Sequence, residues 1–164
     1  MVLRSGGTGV ETLLMRRAER EGDPWSGHMA FPGGRHDPSD ETLMVTAVRE
    51  AREEVGLDLA TDATLLGELP EIPVWAYGKP TDLYVSSFVF ELHRGAPWAA
   101  SAEVAELLWV DLAPLARGEG LTQVPWTWEG KQIPLPGFDI GGRVVWGLTY
   151  RMLASFFEAL AAPP

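Results

Sequence analysis

The sequence predicts an α/β fold with a mixed β-sheet covered by helices, and the order of its elements carries that expectation. Strand-like runs over 10–16 and 28–31 precede a helical pattern over 41–55. Further strand-like runs follow over 63–69, 81–92 and 106–110, and a second helical pattern over 143–160 closes the series. Strands interleaved with two helices suit a sheet with helices on its faces better than an all-helical bundle. The 164 residues are enough for one domain with a sizeable core, so a single domain over 1–164 is expected.

Val10–Arg16 reads as a strand with mixed alternation, and the polar residues 17–26 carry turn signals at Gly22-Asp23-Pro24. His28–Phe31 reads as a short strand, broken by Pro32-Gly33-Gly34. Those glycines are either a tight turn or a loop that brings backbone groups close to a ligand. Ser39 and Asp40 are cap candidates for a helix over Glu41–Val55. Its apolar stripe is Met44, Ala47, Val48, Ala51 and Val55, and Gly56 is its C-cap. Glu50, Glu53 and Glu54 are expected to point away from that stripe.

Ala63–Leu69 reads as a strand that ends at the break Pro70-Glu71-Ile72-Pro73, with Trp75, Tyr77 and Lys79 in the next loop. Thr81–Leu92 is rich in aromatic and branched residues, as a strand requires. Arg94-Gly95 begins a turn, Glu106–Val110 returns to the sheet and Leu112–Leu115 is a short helical turn. Residues 117–139 form a long excursion around a strand holding Trp126 and Trp128. Arg143–Leu160 reads as the second helix, with Val144, Leu148, Met152 and Phe156 as its stripe.

Composition narrows the function classes. There is no cysteine, so disulfide and thiol chemistry are excluded. The net charge is −10, with only Lys79 and Lys131 as lysines, and the densest basic stretch is the short, interrupted Arg16-Arg17-Ala18-Glu19-Arg20. A nucleic-acid polymer is not an expected partner for such a chain. No 18-residue apolar run exists, and residues 1–15 lack the pattern of a secretory signal. A cytoplasmic protein with no membrane span and no secretory signal is therefore expected. A small phosphorylated ligand remains compatible with an acidic protein when a divalent cation bridges the two.

Helical spacing puts Glu50 beside Glu53 and Glu54. Three carboxylates this close repel one another, and in the C-terminal half of a helix they also oppose its dipole. Arg49 and Arg52 offset part of the cost. Two readings stand on spacing alone: a solvated acidic face with local ion pairs, and a hard-cation site for Mg²⁺ or Mn²⁺ that keeps water and room for substrate phosphates. His28, His36 and His93 show no zinc spacing. Ser39 with distant histidines makes no supportable hydrolase triad.

From Gly34 to Leu57 the chain resembles the Nudix box, whose pattern is G, five residues, E, seven residues, R-E-U-x-E-E-x-G-U, with U a bulky apolar residue. Seven residues separate Glu41 from Arg49-Glu50-Ala51-Arg52-Glu53-Glu54-Val55-Gly56-Leu57. Six residues, rather than five, separate Gly34 from Glu41, an expansion common in the coenzyme A pyrophosphatase branch. Leu13–Ala18, Gly27–Gly34 and Val145–Thr149 are also similar to segments of that branch. Two departures stand out: His28 occupies the place of a typical glutamine, and the branch's Leu-Arg-x-His portion is absent.

The resemblance implies an α/β/α sandwich and a diphosphate hydrolase that uses Mg²⁺ or Mn²⁺. By resemblance, Glu50, Glu53 and Glu54 are the metal carboxylates. Glu53 or a neighbour is the base, and Arg49 orients a glutamate by an ion pair. Gly33 and Gly34 form the ligand-side loop, and Glu41 is the supportive earlier acid. Glu119 and Glu129 are candidate loop contributors to the base. The implied substrate is coenzyme A or another nucleoside diphosphate derivative. A nucleoside triphosphate pyrophosphatase and a non-catalytic nucleotide sensor are the alternatives, and a homodimer is allowed.

Overall fold

The computed structural model describes residues 1–23, 25–76, 79–93 and 96–162. The expected turns at Pro24 and Arg94-Gly95, and the loop position of Tyr77, lie outside the described residues. In chain order the elements are β1 (Val2–Ser5), β2 (Val10–Arg17), β3 (Met29–Ala30), α1 (Leu43–Val55), α2 (Leu59–Asp62), β4 (Ala63–Ala76) and β5 (Lys79–Leu92). They continue with β6 (Val104–Asp111), α3 (Leu112–Ala116), β7 (Leu121–Trp128), β8 (Lys131–Ile140), β9 (Arg143–Trp146) and α4 (Gly147–Ala161). Contacts divide the chain into two compact units. Met1–Gly67 with Phe88–Ala113 form one, and Glu68–Ser87 with Pro114–Pro164 form the other.

A six-stranded sheet runs in the order β3-β2-β1-β5-β4, with β6 also paired to β2. β1 pairs antiparallel with β2 and parallel with β5, so the sheet is mixed, as expected. In the first unit, the core joins Val2, Leu13, Met15, Ala51, Val55, Leu57, Leu59, Phe90 and Val104. The α1 stripe enters this core through Val48, Ala51 and Val55, whereas Met44, a turn earlier, stays exposed. Leu13 is fully buried in β2. Leu13→Ala is expected to cost about 2–5 kcal/mol, the usual range for a core leucine truncated to a cavity, read as a lowered midpoint in urea denaturation.

Two expectations about helix ends are corrected. The helix begins at Leu43, and its cap is Thr42, whose hydroxyl accepts the Val45 N–H, rather than Ser39 or Asp40. Ser39 instead closes a turn onto the Asp37 carboxylate, and Asp40 is engaged elsewhere. The second helix begins at Gly147, because Arg143–Trp146 pairs antiparallel with β8 as β9. Val144 is therefore a strand residue, and the buried residues of α4 are Thr149, Leu153 and Phe156.

Pro70 and Pro73 do not end the strand. β4 runs through both and includes Trp75, and Lys79 opens β5. β4 is last in the sheet order, and an edge strand can carry proline where its N–H side meets no partner. In the second unit, the region read as a long excursion is a regular antiparallel sheet, β7-β8-β9, carrying Trp126 and Trp128 in β7. Trp128 pairs with Lys131 and Ile140 with Arg143, leaving Glu129-Gly130 and Gly141-Gly142 as two-residue connections. All four take positive φ (48°, 75°, 61° and 85°), the mirror-image turn that matches the twist of paired strands. α4 packs on β8 and β9, with the rings of Phe138 and Tyr150 5.4 Å apart.

Candidate active site

The box carboxylates, Arg49 and the glycine pair fall within the first unit, on α1 and on the loop after β3. The helix periodicity places Glu50, Glu53 and Glu54 on its last turns, and left-handed Gly56 closes it. Their environments then diverge. Glu53 is exposed, Glu50 is mostly covered, and Glu54 is buried at 5% exposure. The burial of Glu54 corrects the expectation that all three point away from the apolar stripe. Three residues on a helix turn through about 300°, so Glu54 flanks Ala51 rather than opposing it. There its carboxylate accepts the Gly33 N–H at 2.8 Å.

Burial, opposed in part by that hydrogen bond and helped by the charge of Glu50, pushes the Glu54 carboxyl up to about 7. Native Glu54 thus keeps a proton that the unfolded chain gives up near the ordinary value of 4.5. Metal-free protein should lose stability as pH rises between about 4.5 and about 7, with no further loss from this group above that range. Glu54→Gln keeps an acceptor for Gly33 and should flatten this part of the profile. Denaturant midpoints of both proteins across that range are the measurement.

Gly34 lies against Glu50. A Cβ there would overlap the Glu50 carboxylate, so the close approach requires glycine. Gly33 and Gly34 are thus brought to two of the three helix carboxylates, Gly33 to Glu54 and Gly34 to Glu50.

Arg49 forks. One Nη donates to Glu50 at 3.0 Å and to Glu53 at 3.0 Å. Its other side grips Asp40, with Nε at 3.1 Å and the second Nη at 3.0 Å. The second Nη also reaches the Arg35 carbonyl, at 3.3 Å. Asp40 is buried, takes a 2.8 Å hydrogen bond from the Thr46 hydroxyl and accepts the Asp37 N–H at 3.2 Å. Arg49 holds the Asp40 carboxyl well below the usual carboxylate range, and Asp40 in turn raises the guanidinium.

Asp40 is the site residue that sequence reasoning read only as a cap. The available signal was its position, since five residues separate it from Gly34 while six separate Glu41. Glu41 is exposed. Glu119 pairs with Arg117 at 2.8 Å, and Glu129 sits exposed in the β7–β8 turn; both belong to the second unit. His28 is half-buried and its imidazole is lowered by that burial, whereas His36 is exposed in the loop.

Among the described residues, no three acidic or imidazole side chains converge closely enough to form a ready-made ion cage. Each of the three glutamates is turned to a protein partner instead: Glu50 and Glu53 to Arg49, and Glu54 to the Gly33 amide. The donor set still fits a hard divalent ion. It is all carboxylate oxygen on one stretch of helix, and it includes a buried acid whose ionisation is disfavoured without a cation.

A mixed sheet backing a helix of clustered glutamates, with a glycine loop laid against two of them, defines the class of Nudix domains. The chain belongs to this family: the NUDIX domain model matches residues 1–127. Among curated proteins, it is 40% identical over 115 residues to an uncharacterized protein of Schizosaccharomyces pombe, covering 68% of this chain and 35% of that one. It is 32% identical over 164 residues to the human mitochondrial coenzyme A diphosphatase NUDT8, covering 94% of this chain and 65% of the human protein. The chain thus spans between about a third and two thirds of the length of these relatives.

Among solved structures, a Nudix hydrolase from M. smegmatis, RenU, superposes with a TM-score of 0.63 at 20% identity, over 100% of this chain and 84% of that one. A C. elegans Ap4A hydrolase in a binary complex gives 0.56 at 23% identity, over 71% and 79%. Both likenesses concern the fold. Among the described residues, no helix is long and apolar enough to cross a membrane.

Proposed function

We propose that residues 1–164 act as one Nudix hydrolase domain, dependent on Mg²⁺ or Mn²⁺, that cleaves the diphosphate of coenzyme A or another nucleoside diphosphate derivative. The observation that carries this reading is the Glu50, Glu53 and Glu54 set, with Glu54 fixed to the Gly33 amide and Glu50 fitted against Gly34. Similarity to a coenzyme A diphosphatase over most of the chain supports the substrate class.

Glu50, Glu53 and Glu54 would hold the cation. When bound, it neutralises diphosphate oxygens and acidifies the attacking water. Glu53, the most exposed of the three, would take the water proton on a carboxylate oxygen. Glu54, buried and anchored, supplies a fixed oxygen. Arg49 steadies Glu50 and Glu53 against their mutual repulsion.

The test is a panel of coenzyme A, ADP-ribose, dinucleoside polyphosphates and nucleoside triphosphates, run with Mg²⁺ and Mn²⁺ separately. Coenzyme A should yield 3′,5′-ADP and phosphopantetheine. Release of pyrophosphate from triphosphates alone would favour the pyrophosphatase alternative, and no cleavage of any member would favour a ligand sensor. The cytoplasmic placement and the homodimer belong to the same proposal, and cell fractionation and sedimentation respectively test them.

A further inference from the structure

The resemblance assigns the earlier acid of the box to Glu41, yet the carboxylate gripped by Arg49 is Asp40, one residue before it. We propose that Asp40 is a positioning residue of this site: as the fixed counter-ion of Arg49, it sets where the Glu50 and Glu53 carboxylates stand. The assignment rests on the hydrolase reading above.

Asp40 cannot readily change partner. It is buried, and its Oδ2 receives the Thr46 hydroxyl and the Asp37 amide as well as Arg49. The guanidinium it holds is thereby anchored on one side, leaving a single Nη to serve Glu50 and Glu53. Those two glutamates would have to give up part of their hold on Arg49 to a bound cation. With Asp40 in place, Arg49 keeps an anionic partner through that exchange. Without it, the positive charge of Arg49 has only the metal carboxylates to pair with, and it competes with the cation for them. The same guanidinium reaches the Arg35 carbonyl, so the anchor extends to the loop beyond Gly34. Glu41 is exposed and is none of the carboxylates that Arg49 grips.

The experiment compares Asp40→Asn, Glu41→Gln, Arg49→Ala and the Asp40→Asn/Arg49→Ala double variant. Each is measured for kcat and KM on the best panel substrate, for Mn²⁺ affinity by electron paramagnetic resonance, and for melting temperature. Asp40→Asn should lower kcat and Mn²⁺ affinity by about 10- to 100-fold, the usual effect of removing a group that orients a metal ligand, with KM unchanged. The double variant should be no worse than Arg49→Ala, because the two residues act as one unit. Glu41→Gln should lose far less than Asp40→Asn.

The proposal is overturned if Asp40→Asn keeps full kcat and Mn²⁺ affinity, if the double variant is additive, or if Glu41→Gln falls as far. Should Asp40→Asn fail to fold, Thr46→Val, which removes one anchoring donor, replaces it with a smaller loss in the same direction; no loss overturns the proposal. Mn²⁺ affinity reads the role of Asp40 without substrate, whereas wild-type inactivity across the panel sinks the hydrolase reading alone.

Discussion

Glu53→Gln is expected to lower turnover by about 10²- to 10⁴-fold, the range a positioned general base supplies. Its effect on stability should be small. The side chain is 58% exposed, and the ion pair it makes, to Arg49, is of the surface kind that contributes about 0–1 kcal/mol. Glutamine keeps the size and the hydrogen-bonding oxygen, so Arg49 still finds an acceptor there. What disappears is the ability to take a proton and to place a full negative charge by the cation. Turnover at saturating substrate, with a melting curve on the same preparation, separates the two effects. Near-wild-type turnover would remove Glu53 from the essential set and direct attention to another base.

Gly34→Ala should be the second large effect, of about 10²-fold on turnover, the scale expected when a reacting group is displaced by about an ångström. The added methyl would occupy the place of the Glu50 carboxylate. That carboxylate ends a flexible side chain, so the fold can relieve the overlap by moving Glu50 alone. Stability should therefore change by no more than about 1 kcal/mol, with some compensation from the stiffer unfolded chain. The moved Glu50 would lose its place beside Arg49. A drop in stability without a drop in turnover would mean that Gly34 serves the loop and not the site.

Much of this arrangement was legible in the sequence. The periodicity of Val48, Ala51 and Val55 gave the face by which α1 meets the core, and Gly56 gave its end. The burial of Glu54 was hidden, because a residue flanking a stripe is covered or exposed according to what packs beside it. Here that neighbour is the Gly33 loop, 21 positions earlier in the chain. Asp40 looked like a cap because its chemistry suits one, and only the folded loop shows Arg49 and Thr46 converging on it. The β7-β8-β9 sheet was obscured by Pro125, Pro134 and Pro136, which read as loop. Pro125 in fact pairs opposite Pro134, and the two-residue turns Glu129-Gly130 and Gly141-Gly142 were the local signals for the hairpins.

The central claim is that Glu50, Glu53 and Glu54 hold a divalent cation, and a Mn²⁺ titration of the wild type beside Glu50→Gln and Glu54→Gln tests it most directly. Above pH 7, where Glu54 is ionised, the wild type should bind Mn²⁺ and each variant should bind it more weakly. Below that pH, wild-type binding should weaken and release protons, and the Glu54→Gln variant should lack that component. Full affinity retained in both variants would contradict the assignment of these carboxylates as the metal ligands.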